Sequence, residues 1–208
     1  MADKFWRGVL DVLLASEGLD PVDSLKPSSK QDDAWPMDGV FRYGTLPLAC
    51  LHEAGHVVAA LNAGLRVFDT CCRRIGGELA GRTSVLKSKQ ERRLVALGGF
   101  AAELLLWQNG RLTWFDGVRP TQAEMIQGVA RSCEDDRVAY FGRDLRNPDR
   151  RWPTELTQSF HAGALQLACT LDDSRLEAVG GVLLARGSLR EEAVVRLARP
   201  SAEADAGR

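Results

Sequence analysis

The sequence predicts an α+β fold that is mainly helical, with a small β-sheet beside the first long helix. Two long segments, at about residues 45–64 and 88–110, combine apolar residues at helical spacing with start and stop signals. Between them, residues 65–70 and 82–86 have the short apolar patterns typical of strands. The last third of the chain has helical periodicity throughout, so we expect helices to dominate.

Composition limits the class of protein. The chain has 208 residues, of which 45% are hydrophobic and 26% are charged, which is typical of one folded domain with appendages. Its 27 Lys and Arg residues nearly balance its 28 Asp and Glu residues. The basic surface expected of a nucleic-acid-binding protein is therefore missing, and we expect no nucleic-acid partner.

The N-terminus and the cysteines bear on location. Asp3 and Asp11 interrupt the basic and apolar parts that a signal peptide needs, and no run of 18 apolar residues predicts a membrane span. The five cysteines are odd in number and lack C-x-x-C spacing, which is typical of free thiols in a reducing compartment. We therefore expect a cytoplasmic protein without a transmembrane segment.

We divide the chain into three regions. Residues 1–44 are predicted to form a short amphipathic helix, over about 4–17, and a proline-containing linker arm. Residues 45–198 form the folded domain. The small and polar residues 199–208 are predicted to be a flexible tail.

Capping signals predict where individual helices begin. The boxes Ser88-Lys-Gln-Glu91, Thr121-Gln-Ala-Glu124 and Ser188-Leu-Arg-Glu191 each favour a helix start. Periodicity predicts two further helices, over Thr154–Thr170 and Ser174–Arg186.

The segment from His52 to His56 reads His-Glu-Ala-Gly-His and lies inside the first long helix. Four residues make about one helical turn, so both imidazoles project from one face and can bind one zinc ion. Glu53 lies about 100° around the helix, within reach of a water molecule, where it can act as a general base. The pattern predicts zinc-dependent hydrolysis of peptide bonds, and the alternative is a helix with two idle histidines.

A catalytic zinc needs a third protein ligand, and the residues leave several candidates open. These are His161, Asp116, Glu124 and the run Glu134-Asp135-Asp136. His161 is a lone histidine in a predicted helix, Asp116 precedes a glycine as in a turn, and the acidic run is typical of a solvated face. Glu124 lies at the start of a helix, where a capping role competes with a ligand role.

Other chemistry has weaker signals. Cys71 and Cys72 follow a predicted strand, where adjacent side chains point to opposite faces, which argues against a shared metal ion. A cysteine nucleophile assisted by His161 has no local signature. The sequence contains no G-x-x-x-x-G-K segment, so it predicts no P-loop ATPase.

Four segments within residues 45–198 follow a known pattern. They are Leu51–Leu61, Gly77–Thr83, Leu97–Leu104 and Leu176–Glu192. In order and spacing they resemble the peptidase domain of the FtsH-type ATP-dependent zinc metalloproteases. The resemblance implies a zincin-like helical peptidase domain with Zn²⁺ as its cofactor, here without the family's ATPase module and membrane anchor.

The resemblance also implies roles for individual residues. His52 and His56 are then zinc ligands and Glu53 is the catalytic base. The strand near residues 81–86 is the edge on which a substrate peptide lies, which agrees with strand addition through main-chain hydrogen bonds.

For the third ligand, the family uses an Asp just inside a helix downstream of the glycine-alanine segment. The counterpart that we select here is Glu124, a departure from Asp, with Asp116 as the second choice. A further departure is Phe100, which stands where the family often has an arginine.

The sequence thus predicts a zinc metalloendopeptidase that cuts peptides or unfolded segments. A second copy of this chain and FtsH-like subunits are the protein partners that we consider. The first alternative is a zinc-binding but catalytically inactive interaction module. The second is a helical domain that binds no metal.

Overall fold

A computed structural model of the chain describes residues 33–75, 78–86, 89–126 and 133–198. These residues form an α+β fold that is mainly helical, which confirms the predicted class. The helices are α1 (Leu46–Asn62), α2 (Lys89–Gln108), α3 (Glu134–Phe141), α4 (Thr154–Ala168), α5 (Asp173–Arg186) and α6 (Glu191–Ala198). The strands are β1 (Phe41–Arg42), β2 (Val67–Ile75), β3 (Glu78–Val85), β4 (Leu112–Thr113) and β5 (Ser188–Arg190). Residues 122–126 are also helical.

Helix α1 is the centre of the fold. It packs against α2 and α5, and strands β2 and β3 cover another side. Because the helix is apolar or small on nearly every face, it suits an interior position. Pro47 lies in its first turn, where a missing N–H costs nothing, and Gly64 follows its end with a φ of +72°.

Two small sheets flank the helices. Strands β3, β2 and β5 form an antiparallel sheet in that order, so β3 has a paired neighbour on one side only among the described residues. The two-residue strands β1 and β4 pair in parallel. The sheet therefore presents β3 as an edge beside α1.

The structure corrects three details of the predicted elements. The box at Ser188 does not begin a helix, because residues 188–190 pair with β2 as strand β5 and α6 starts at Glu191. Strands β2 and β3 are both longer than predicted. The packed domain also starts before Thr45, since Phe41 is buried and Trp35 packs against the core.

Several predictions fall on residues that are not described. The helix predicted over residues 4–17 and the tail over 199–208 lie outside the described ranges. So does Ser88, the first residue of the capping box predicted for α2.

None of the described helices combines the length and the hydropathy that crossing a bilayer requires.

Candidate metal centre

One face of α1 presents the two histidines of the predicted motif. Their ring centroids lie 4.9 Å apart, as expected for residues separated by one helical turn. His56 is buried, whereas the His52 side chain is 16% exposed at the edge of a cleft. The structure therefore places the two imidazoles side by side, as their spacing in the sequence predicts.

The Nδ1 atom of each imidazole has its own partner. His52 Nδ1 lies 2.8 Å from Glu103 Oε1 on α2, and His56 Nδ1 lies 2.7 Å from the carbonyl oxygen of Val95. Both partners accept, so assigning the proton to Nδ1 satisfies them and leaves Nε2 available as a ligand. The backbone N–H of Gly99 also lies 3.3 Å from His56 Nδ1, but the shorter contact to Val95 favours a proton on that nitrogen. The neighbours thus orient both rings and favour the tautomer that a metal needs.

Asp136 on α3 faces both available nitrogens. Its Oδ2 lies 3.1 Å from His52 Nε2 and its Oδ1 lies 3.3 Å from His56 Nε2. One ligand atom from each of the three side chains lies within 4.8 Å of the other two. Two imidazole nitrogens and one carboxylate oxygen are a donor set that fits a catalytic zinc.

Electrostatics also favour a cation between these side chains. Burial alone raises the pKa of Asp136, but the two imidazoles hold it well below its usual range. Burial alone lowers the pKa of His52, but the negative charges of Cys133, Asp136 and Glu103 raise it well above its usual value. The lowered pKa of Asp136 and the raised pKa of His52 both mean that the surroundings stabilise a positive charge between these two side chains.

Glycines on α1 and α2 make the room that the site needs. A Cβ on Gly55 would overlap the backbone of Gly98, so the two helices cross in direct backbone contact. A Cβ on Gly99 would overlap the His52 ring at Nε2. The two consecutive glycines of α2 therefore have separate purposes, one for the helix crossing and one for the imidazole.

Glu53 lies beside the two imidazoles and points to the sheet. It is buried, and its Oε2 accepts a 2.7 Å hydrogen bond from Thr83 Oγ1 on β3. Thr83 is in turn 2.8 Å from the hydroxyl of Thr70 on β2. A Cβ on Gly81 would overlap the Glu53 carboxylate, so strand β3 passes close to it. The carboxylate is thus held at the junction of α1 and the edge strand.

The three motif residues line one open cleft of about 570 Å³. Helix α1, the edge strand β3 and the start of α3 form its walls. The lining side chains are those of Tyr43, Thr45, Leu48, Ala49, His52, Glu53, His56, Leu79, Ala80, Glu103, Cys133, Glu134, Asp135 and Asp136, together with the backbone of Gly44 and Gly81. A chain segment lying along β3 would thus pass directly beside the motif.

The structure does not bring Glu124 to the two histidines. Its carboxylate accepts hydrogen bonds of 2.8 Å from the backbone N–H and the hydroxyl of Thr121, and the side chain is exposed. This is the capping box that competed with the ligand role, so placing Glu124 in the metal centre was wrong. Asp116, the second choice, is also exposed and accepts from the backbone of Val118 in a turn.

The remaining sequence candidates lie elsewhere. His161 packs 5.9 Å from the ring of Phe100, and burial lowers its pKa. Cys71 and Cys72 alternate along β2, with Cys72 buried and Cys71 partly exposed, as their adjacency predicts. None of these three residues belongs to a group of donors that could hold a metal among the described residues.

The sequence left Asp136 among the open candidates for the third ligand without selecting it, and it did not point to Glu103. Asp136 lies in the acidic run that we interpreted as a solvated face, but the run forms the first turn of α3. Three acids in succession followed by Gly142 are a helix-start and helix-stop signal, because acids favour the positive end of a helix. Glu103 lies in the resembling segment Leu97–Leu104, and no spacing rule connects it with His52.

Comparison with known proteins adds no identification. Neither the protein-family models nor the curated proteins that were searched gave a match to this chain.

Proposed function

We propose that this protein is a zinc-dependent endopeptidase. The observation that carries the proposal is the convergence of His52, His56 and Asp136 beside Glu53 in one open cleft. The donor set suits zinc, and the free side of the cleft leaves room for a water molecule and a peptide carbonyl. The resemblance to the FtsH-type peptidase domain supports a zincin-like fold and the same reaction class.

Three side chains would hold the metal. These are His52 and His56 through Nε2, and Asp136 through its carboxylate. When bound, zinc supplies a Lewis acid that polarises a carbonyl and makes water more acidic. Glu103 and Val95 keep the two imidazoles in the ligating orientation.

Glu53 is the proposed general base. Its carboxylate lies in the same cleft and is acceptor-only when ionised, so it can take a proton from the attacking water. It can then give that proton to the amine that leaves when the peptide bond breaks. The hydrogen bond from Thr83 holds the carboxylate in position between the two transfers.

The proposed substrate is an extended or unfolded polypeptide segment. Strand β3 is unpaired on one side among the described residues and its residues Leu79, Ala80 and Gly81 line the cleft. An extended peptide could add to this edge through main-chain hydrogen bonds, with little demand on its side chains. Folded domains cannot supply such a segment, so we propose that they resist cleavage. Association with a second copy or with FtsH-like subunits remains a prediction.

Metal analysis and a cleavage assay on one preparation test the proposal. We expect about one zinc per chain and cleavage of a denatured, casein-like protein that stops with a chelator and returns with zinc. Glu53→Gln should retain zinc and lose roughly 100- to 10,000-fold in rate, because an amide cannot accept the proton.

The outcomes separate the alternatives. Zinc without cleavage in the wild-type protein would favour the inactive binding module. Protein that never takes up zinc would end the proposal.

A further inference from the structure

A second group of metal donors lies on the other side of His52. A ring nitrogen of His52, a carboxylate oxygen of Glu103 and Sγ of Cys133 all lie within 4.8 Å of one another. The nitrogen that faces Glu103 is Nδ1, whereas Nε2 faces Asp136. We call the Asp136 side the outer position and the Cys133 side the inner position.

The inner donors are enclosed but not sealed. Glu103 is 4% exposed and Cys133 is 2% exposed, yet both line the same cleft as His52. Tyr43 places a fourth possible donor atom nearby, since its hydroxyl donates to Glu103 Oε2 at 3.0 Å. An ion that enters the cleft can therefore reach the inner group by displacing the proton between Nδ1 and Oε1.

The surroundings suit a thiolate at Cys133. The residue is the N-cap of α3, at the positive end of that helix. Arg137, one turn further on, is fully buried, and its guanidinium makes no hydrogen bond with any described residue. Because the carboxylates of Glu103 and Asp136 line the same cleft, the cation that would balance a Cys133 thiolate here is the bound ion itself.

We propose that His52 Nδ1, Glu103 and Cys133 form a second metal position that takes soft, thiophilic ions such as Cd²⁺ or copper(I). A thiolate ligand selects for such ions, whereas the outer position offers only nitrogen and oxygen. The two positions share one imidazole, so they compete. An ion in the inner position draws His52 away from the zinc set and inhibits the proposed peptidase.

The proton balance explains the competition. When the inner ion binds, the Nδ1 proton of His52 and the thiol proton of Cys133 pass to solvent. Nε2, which carries no proton in the tautomer that binds zinc, takes up a proton from solvent when zinc leaves and donates it to Asp136 Oδ2 over the 3.1 Å contact. A protonated Nε2 cannot bind a metal, so the outer position is left with only His56 and Asp136.

Titration with Cd²⁺, followed by ultraviolet absorption, tests the inner position. The parent protein carries Cys71→Ser and Cys169→Ser, which remove the partly and fully exposed thiols outside the cleft. We expect a cadmium-thiolate charge-transfer band in the parent. In Cys133→Ser and Cys133→Ala the band should be lost, and Cd²⁺ affinity should fall roughly tenfold or more. Serine keeps the side-chain size, so a folding defect in the alanine variant does not obscure the result.

His56→Ala separates this inference from the proposed function on which its inhibitory effect rests. It breaks the outer position only, so the band should persist while zinc binding and cleavage are lost. In zinc-loaded parent protein, growth of the band should accompany the release of zinc.

A band of equal strength in Cys133→Ser, or no band in the parent at excess Cd²⁺, would overturn the inner position whether or not the protein is a peptidase.

Discussion

At the scale of single residues, the two histidines of the candidate centre and Glu53 each have a neighbour that sets their orientation. His52 relies on Glu103, His56 on the Val95 carbonyl and Glu53 on Thr83. Partners of this kind typically change metal affinity or activity by 10- to 100-fold when they are removed. The structure therefore predicts functional effects at positions outside the His-Glu-x-x-His motif.

The first such effect distinguishes Asp136 from Glu124. Asp136→Asn should weaken zinc binding by about 100-fold or more, because a neutral amide replaces the carboxylate that faces both imidazoles. Glu124→Gln should leave the zinc affinity unchanged, since its carboxylate bonds Thr121 instead. Competition with a chelating dye measures both affinities. Equal losses in the two variants would contradict this assignment.

The second effect concerns Thr83, a positioning residue for Glu53. Thr83→Val removes the hydroxyl that donates to the carboxylate and should lower the cleavage rate roughly 10- to 100-fold, since a hydrogen bond to a charged group is worth about 1.5–3 kcal/mol. Zinc content should stay the same. Thr83→Ser restores a donor and should restore most of the rate. If Thr83→Ser does not restore the cleavage rate, the hydroxyl does not act by holding the Glu53 carboxylate.

At the scale of elements, the crossing of α1 and α2 determines whether the centre can form. Gly99→Ala places a methyl group where His52 Nε2 lies, so zinc binding should fall sharply while the helices still form. Gly180→Ala is the matched control within helix α5, because the atoms nearest to its Cβ would be those of Trp35 at 3.3 Å and of the α1 backbone at 3.5 Å and 3.6 Å. Metal analysis and circular dichroism of both variants check this. Normal zinc binding in Gly99→Ala would mean that the His52 imidazole does not lie against Gly99 when it binds the metal.

The elements also show what could be predicted from sequence. Periodicity and capping signals predicted α1, α2, α4 and α5 closely, because each buries a continuous apolar face. They failed at β5, where Ser188 resembles a helix cap but pairing with β2 decides the conformation. The sequence also has start and stop signals for α3, but the acids Glu134, Asp135 and Asp136 are equally typical of a solvated face.

The candidate site likewise has a part that local sequence patterns predict and a part that they do not. The helical spacing predicted the paired imidazoles and the position of Glu53, since these depend only on neighbours within one helix. Asp136 and Glu103 lie 84 and 51 residues from His52 in the sequence, so only the packing of α2 and α3 against α1 brings them to it. Local patterns therefore predicted the motif and could not predict the residues that complete it.

At the scale of the whole molecule, one arginine connects three distant parts of the chain. Arg111 follows α2 and donates to the carbonyl of Gly39, before β1. It also pairs with Asp173 at 2.8 Å and with Glu177 at 2.5 Å, both on α5. Glu177 is largely buried, and burial raises its pKa while Arg111 lowers it. These three contacts of Arg111 therefore join α5 to the β1–β4 side of the fold.

Replacing this arginine should destabilise the fold in a way that depends on pH. Because the folded-state pKa of Glu177 is raised, its contribution to stability is present below the unfolded pKa and is lost as the pH rises through the folded pKa. Arg111→Ala removes the group that lowers this pKa, so ionised Glu177 and Asp173 then lack their cation. We expect a loss of about 1–3 kcal/mol at pH 7, between the values for exposed and buried pairs. The loss should be smaller near pH 4.5, the ordinary pKa of Glu177.

Urea unfolding at both pH values, with and without Glu177→Gln, isolates the buried carboxyl. In the Gln background the remaining pH dependence of Arg111→Ala comes from Asp173, which is more exposed and so contributes less. Most of the difference between the two pH values should then disappear. A difference that survives unchanged in the Gln background would show that Glu177 is not the group that makes Arg111 necessary.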